Sequence, residues 1–184
     1  MRIIGGDLKG KKLYSVRGLS IRPTADRLRE SLFNILSNHV RGALVLDLFA
    51  GTGALGIEAI SRGAEFAMFV DNHKSALAVI EQNIRSCALD HRAKLIQGNI
   101  IQNLNCIRFY RPAFNLVFID PPYSKNMVKP ALYNLHHSHC LEKDTRIVVE
   151  HSVSESIPED LLSFRIDDQR RHGKTLVSFL DYMI

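Results

Sequence analysis

Apolar residues recur along this chain in two rhythms. Short runs rich in β-branched and aromatic residues fall at 43–48 (ALVLDL), 66–70 (FAMFV), 93–97 (AKLIQ), 115–119 (NLVFI) and 146–150 (RIVVE). Near-continuous apolar runs of this length mark strands covered on both faces. Between them, 54–62, 73–88, roughly 100–109 and 127–138 carry the 3.6-residue spacing of helices. Strands alternating with helices predict βαβ units and a parallel sheet. The last two strand-like runs, 161–168 and 174–182, are joined by QRRHG with no helix between. They predict a terminal hairpin that places an antiparallel strand in the sheet. At the other end, residues 2–16 read as two short strands around Gly5, Gly6 and Gly10, a hairpin or ribbon. Residues 22–40 follow as a helix, with Thr24 as N-cap after Pro23 and an apolar stripe of Leu28, Leu32, Ile35 and Leu36.

Length and composition narrow this picture only slightly. The 184 residues suit one domain, and 46% apolar with 23% charged residues is the balance of a globular protein. The longest apolar runs are strand-sized, so neither a signal peptide nor a membrane span is expected. Cys87, Cys106 and Cys140 are scattered and fit a reduced cytosol. Charge is more informative. Residues 1–41 hold nine basic and three acidic residues, and the remainder fifteen basic and sixteen acidic. The whole positive excess therefore sits in the first fifth of the chain, as either a solvated face or a phosphate-binding segment.

The run LDLFAGTGALGIEAI sets Gly51, Gly53 and Gly56 in G-x-G-x-x-G spacing between a strand and a helix. That context predicts a nucleotide-type cofactor site. Asp71 ends the second strand, where an acid can bind both ribose hydroxyls. Asp47 ends the first strand, four residues before Gly51, facing the loop. A pyrophosphate beside that carboxylate would be repelled. S-adenosylmethionine instead presents an ammonium and a sulfonium, so Asp47 favours the methyl donor over NAD. Phe49 and Asn72 flank these acids. In LIQGNI, Asn99 could bond the adenine amine and Ile100 pack on its ring, or the pair could be a plain strand-end turn.

At the tip of the fourth strand stand Asp120, Pro121, Pro122 and Tyr123. Two prolines stiffen the chain there. Asp120 and the Pro121 carbonyl form two fixed acceptors for an exocyclic NH2, turning its lone pair toward a methyl donor, and Tyr123 offers a face for an extracted base. The DPPY sequence resembles the D/N-P-P-Y/F motif of amino-group methyltransferases. With RIIGGDLKGKKL, RPTADRLRESLFNIL and DLFAGTGALGIEAISRGA in the same order, the chain resembles the RsmD-like family of bacterial 16S ribosomal RNA guanine-N2 methyltransferases. The resemblance implies an α/β, Rossmann-like methyltransferase fold of seven strands, mostly parallel with the C-terminal hairpin antiparallel. It also implies S-adenosylmethionine as donor and the N2 of a guanine in 16S rRNA as acceptor, within an assembled or assembling small subunit. Carried onto this chain, Asp47, Gly51, Gly53 and Asp71 match the cofactor motifs, and Asp120, Pro121 and Tyr123 the catalytic one. Many methyltransferases have an Asp where this chain has Asn99.

Residues 43–184 are thus expected to form the methyltransferase domain of a cytoplasmic monomer. Residues 1–42 form a basic extension packed on it, with Lys9, Lys11, Lys12, Arg22, Arg27 and Arg29 as candidate phosphate contacts. A DNA adenine-N6 methyltransferase is the nearest rival, but some 42 residues are too few for an independent sequence-reading domain. Enzymes acting on glutamine generally carry N-P-P-Y. A non-catalytic RNA-binding assembly factor would have no need of three intact acids. HHSHC (136–140) reads as a polar helix end and not as a metal centre. Arg170, Arg171 and Lys174 mark a turn that is either solvated or in touch with RNA.

Overall fold

A computed structural model describes residues 1–15, 23–122, 125–158 and 160–184, with the side chains of 23–25 excluded. The elements in chain order are α1 (Pro23–Ile35), α2 (Ser37–Val40), β1 (Leu44–Leu48), α3 (Ala54–Ser61), β2 (Phe66–Asp71), α4 (Lys74–Ser86), β3 (Ala93–Gln97), a 3-10 turn (Asn105–Ile107), β4 (Phe114–Ile119), α5 (Val128–His137), β5 (Leu141–Ser152), β6 (Phe164–His172) and β7 (Thr175–Tyr182). The seven strands form one sheet in the order β3-β2-β1-β4-β5-β7-β6. The first five are parallel, and β7 runs antiparallel between β5 and β6.

Alternation along each strand divides the core. Val45, Phe69, Leu116, Phe118, Val148 and Phe179 point to one face, which α3, α4, Phe33 of α1 and the N-terminal Ile3 and Leu13 cover. Leu46, Leu48, Met68, Val117, Ile119 and Val149 point to the other, covered by α5 and by Ile100, Leu104 and Ile107. Burial on both faces is why these strands read as unbroken apolar runs. Each fully buried side chain of this size stabilises the fold by about 1.5–3 kcal/mol.

Four local expectations need correction. Among the described residues the N-terminal ribbon has a single antiparallel bridge, Arg2 to Lys12, because several of its amides bond to α3 instead of to a partner strand. The Ile4 and Gly5 N–H groups donate to the Glu58 carboxylate, both at 2.8 Å, and Leu8 N–H to Ser61 Oγ at 2.9 Å. The helix foreseen at 100–109 is a turn and the short 3-10 segment. There Asn99 Oδ1 accepts from Gln102 N–H (3.3 Å) and Asn103 Oδ1 from Asn105 N–H (3.1 Å), local bonds that compete with a helical ladder. The helix at 22–40 starts at Pro23, well suited to a first helical position, so Thr24 falls inside it, and Leu36 interrupts it before α2. Finally, β6 extends through the polar residues to His172, and Gly173 (φ +65°) and Lys174 alone make the turn. An edge strand with a solvated face tolerates that charge and is protected by it.

Candidate active site

In this strand order the chain leaves β1 toward β2 on one side, while β4 lies on the other. The carboxyl ends of β1 and β4 therefore border the crevice where open α/β sheets bind ligands. Leu48 is paired with Ile119 across this junction, and Asp120 follows immediately, its N–H 3.5 Å from the Leu48 carbonyl. Segments far apart in the sequence thus become spatial neighbours: the glycine loop and the DPP segment rise from adjacent strand ends.

The glycine loop is built from left-handed backbone. Phe49 (φ +58°), Gly51 (φ +58°) and Gly53 (φ +75°) carry it from β1 into α3. The loop is held by the two acids expected there. Asp47 Oδ2 accepts the Gly56 N–H at 2.9 Å, and Asp71 Oδ2 accepts the Gly51 N–H at 3.0 Å while its Oδ1 takes His73 N–H at 2.9 Å. A Cβ on Gly56 would lie 2.4 Å from Phe69 Cε1, so this glycine lets α3 sit on the sheet. Among the described residues, a Cβ on Gly51 would meet only the Phe49 carbonyl, at 3.8 Å, which leaves that side of the loop room for a ligand.

Electrostatics at this junction favour positive charge. Burial pushes Asp47 up to about 8, opposed by the Gly56 amide and reinforced by Asp71. Asp120 is held well above the ordinary carboxylate range by burial first, then by Glu150 and Asp47. The register pairs Ile119 with Val149, so Asp120 and Glu150 are the next residues on adjacent strands. Carboxylates in such surroundings favour a cation or a proton.

Other site candidates are placed as follows. Pro121 is buried and Pro122 exposed. Asn72 is exposed and its carbonyl takes the Gln97 amide at 3.4 Å. Asn99 is exposed and closes its own turn. Ile100 is only 2% exposed and packs into the α5-side core, so its side chain has little surface left for an adenine ring. Lys9, Lys11, Lys12 and Arg27 are exposed, the first and last lining an open groove of 490 Å³ between the N-terminal segment and α1. Arg29 is not a surface cation. It is 6% exposed, donates to the Arg2 carbonyl at 2.6 Å and to Asp26 at 3.1 Å, and has Nε 3.6 Å from Glu58. An acid fixed inside α3 draws it inward. Arg22 and Tyr123 lie outside the described residues. His136 Nδ1 is engaged by Tyr182 Oη (3.0 Å) and His137 Nδ1 by the Tyr133 carbonyl (2.9 Å). Arg170 pairs with Asp168 at 2.8 Å on the exposed hairpin.

Sequence reasoning missed the residues that brace the site. Glu58, fully buried, holds two N-terminal amides and Arg62 (2.7 Å). Asn83, also fully buried, binds both backbone groups of Tyr14 and the Thr52 carbonyl of the glycine loop. Glu155 accepts the N–H of Val128, first residue of α5, at 2.9 Å and so fixes the far end of the segment that follows Asp120. Two of these carried a signal. Glu58 is a lone acid in the apolar run ALGIEAIS, and Asn83 shares the helical spacing of Ala76, Ile80 and Ile84. Glu155 carried none.

Comparison with known proteins accords with this geometry. YlbH of Bacillus subtilis (strain 168) is 35% identical over 97% of this chain and 97% of its own length. "Ribosomal RNA small subunit methyltransferase D" of Escherichia coli (strain K12) is 36% identical, over 86% of this chain and 78% of that protein. Among solved structures, yhhF of Escherichia coli superposes with a TM-score of 0.84 at 30% identity, covering 100% of this chain and 98% of that one. The model of the family described as Conserved hypothetical protein 95 matches residues 1–181, and the chain accordingly belongs to this family, the RsmD family.

Proposed function

We propose that this protein transfers a methyl group from S-adenosylmethionine to the exocyclic N2 of a guanine in small-subunit ribosomal RNA. The observation that carries the reading is the adjacency of Asp120 and the Asp47–glycine-loop pocket at the β1–β4 junction. The names of the relatives supply ribosomal RNA as substrate class and methyl transfer as reaction. The site fits the donor by its own chemistry: the buried Asp47 carboxyl, raised to about 8, gives up its proton most readily against a cation such as the donor's ammonium, and among the described residues Gly51 leaves room on the loop's outer side.

When bound, S-adenosylmethionine supplies an electrophilic methyl on a sulfonium. Asp47 would hold the positive amino-acid end and Asp71 the ribose, with Phe49, Gly51, Gly53 and Asn72 lining the way between them. Asp120 and the Pro121 carbonyl accept the two N–H groups of the guanine amine, whose lone pair is otherwise shared with the ring. Held this way, the nitrogen turns toward tetrahedral geometry and aims its lone pair at the methyl. As the N–C bond forms and the S–C bond breaks, the nitrogen sheds a proton. Asp120, with its raised proton affinity, is placed to hold it. Tyr123 provides the stacking face for the extracted base. Lys9, Lys11, Lys12, Arg22 and Arg27 contact phosphates, so residues 1–42 act as the RNA-binding part of a cytoplasmic monomer working on the assembled or assembling subunit.

The test is transfer of labelled methyl to unmodified small subunits, protein-free ribosomal RNA and duplex DNA, followed by nucleoside analysis. N2-methylguanosine from the ribosomal substrates is expected, with Asp120→Asn slower by roughly 10²–10³-fold, the loss of one preorganised contact. Label in DNA adenine, or an Asp120→Asn enzyme of normal rate, would sink the reading.

A further inference from the structure

Tyr14 is half-exposed, just beyond the exposed Lys11 and Lys12, yet both of its backbone polar groups are bonded to a buried side chain. Asn83 Oδ1 accepts its N–H at 2.7 Å, and Asn83 Nδ2 donates to its carbonyl at 3.1 Å. The same Nδ2 donates to the Thr52 carbonyl at 2.9 Å, between Gly51 and Gly53. Asn83 is completely buried in α4, and its two amide hydrogens are divided between the N-terminal segment and the cofactor loop.

A structural anchor for the N-terminus already exists elsewhere. Glu58 and Ser61 take the Ile4, Gly5 and Leu8 amides, while Ile3 and Leu13 fill the core. Holding the segment down therefore does not require a buried amide shared with the glycine loop. What that amide adds is a fixed relation between an exposed ring beside lysines and the loop that meets the methyl donor. An aromatic face next to cations is the chemistry that stacks an unpaired base while its phosphates are neutralised.

We propose that Tyr14 stacks on the RNA and that Asn83 is a positioning residue transmitting this contact to the glycine loop, so that RNA and cofactor bind cooperatively. The inference rests on the functional reading above. Coupling requires a two-way effect: RNA must tighten cofactor binding by the same factor as cofactor tightens RNA.

The experiment measures calorimetric affinity for S-adenosylhomocysteine, a non-reacting probe, with and without an unmodified 16S rRNA transcript. In the unaltered protein the transcript should tighten the probe by roughly 5- to 150-fold, the usual range of coupling between sites. Tyr14→Ala keeps the backbone N–H but removes the ring. It should weaken the transcript by about 5- to 150-fold and leave probe affinity without RNA within about twofold. Tyr14→Pro also removes the N–H that Asn83 accepts, and should lose the coupling factor as well. Asn83→Ala should lose it too, whereas Asn83→Asp keeps the acceptor for Tyr14 and retains part of it. Thermal unfolding of each variant separates loss of coupling from loss of fold, and Tyr14→Pro carries the test should Asn83→Ala not fold. An unchanged coupling factor in Tyr14→Pro and the Asn83 variants, or none in the unaltered protein, overturns the proposal. Failure of the unaltered protein to bind the probe at all would instead overturn the functional reading.

Discussion

Asp47 is a carboxyl group in a place that disfavours its charge. Only the Gly56 amide opposes the burial that lifts it to about 8. Its folded pKa lies above the unfolded value of 3.8, so its contribution to the stability of the empty protein is full below about pH 4 and is lost as pH rises through 8. The sign for ligand binding is opposite. A cationic donor needs the carboxylate, so below pH 8 binding must expel a proton, and affinity should fall by up to about tenfold per pH unit as the solution is acidified. Calorimetry from pH 6 to 9 in buffers of different ionisation enthalpy reads both the slope and the released proton. Asp47→Asn should bind weakly with a flat profile; a flat profile in the unaltered protein would remove Asp47 from the binding site. Asp120, also raised, shows why the two acids must be separated by substitution: only Asp47→Asn should change donor affinity, and only Asp120→Asn the rate at saturating donor.

At the scale of elements, α3 does two jobs at different points along its length. Its start carries the glycine loop, and Glu58 and Ser61 clamp the N-terminal segment. Glu58 is fully buried between Arg29 and Arg62. Removing one partner of a buried charge network leaves the others uncompensated, so Glu58→Ala should cost about 3–5 kcal/mol. For a domain of this size that lowers Tm by on the order of 10 °C, measurable by calorimetry. A Tm within 2 °C or so of normal would instead mean that residues 1–15 are a separable appendage. The same network explains what the sequence could and could not disclose. Strands buried on both faces and a glycine loop between strand and helix are local patterns, so β1–β4, Asp47, Gly51, Asp71 and Asp120 were legible. The ends of β1 and β4, distant in the chain, then converge because the sheet order sets these strands side by side. Arg29 was misread because its partner lies 29 residues away: a basic residue off an apolar stripe looks solvated until an acid from another helix arrives beneath it. The 100–109 region was misread because Asn99 and Asn103 accept backbone N–H groups locally, and Asn134 of α5 donates to the Ile100 and Ile101 carbonyls, groups that a helix would have used. Glu150 and Glu155 depend on the β4–β5 register and a distant loop, and neither is written in local spacing.

For the whole molecule, the uneven charge becomes a statement about where RNA is held. Of the basic residues in the first fifth of the chain, Arg2, Lys9, Lys11, Lys12, Arg27 and Arg41 are exposed, whereas Arg29 is consumed internally. Phosphate neutralisation releases counterions, and each contact contributes about −0.7 to −0.9 to the slope of log affinity against log salt. Reversing Lys11 and Lys12 to Glu should therefore weaken ribosomal RNA binding and flatten that slope by about 1.4–1.8, the loss of two phosphate contacts. Cofactor affinity without RNA should not change, since both side chains are exposed and the glycine loop is held by Asp47, Asp71 and Asn83. Arg29→Ala is the internal control. Its slope should equal that of the unaltered protein, with the cost appearing in Tm, because that guanidinium already has its partners in Asp26, Glu58 and the Arg2 carbonyl. Salt titrations by filter binding or fluorescence anisotropy distinguish the two. Equal slopes for all three proteins would show that the basic segment is only a solvated face, and would move the RNA-binding surface to another part of the molecule.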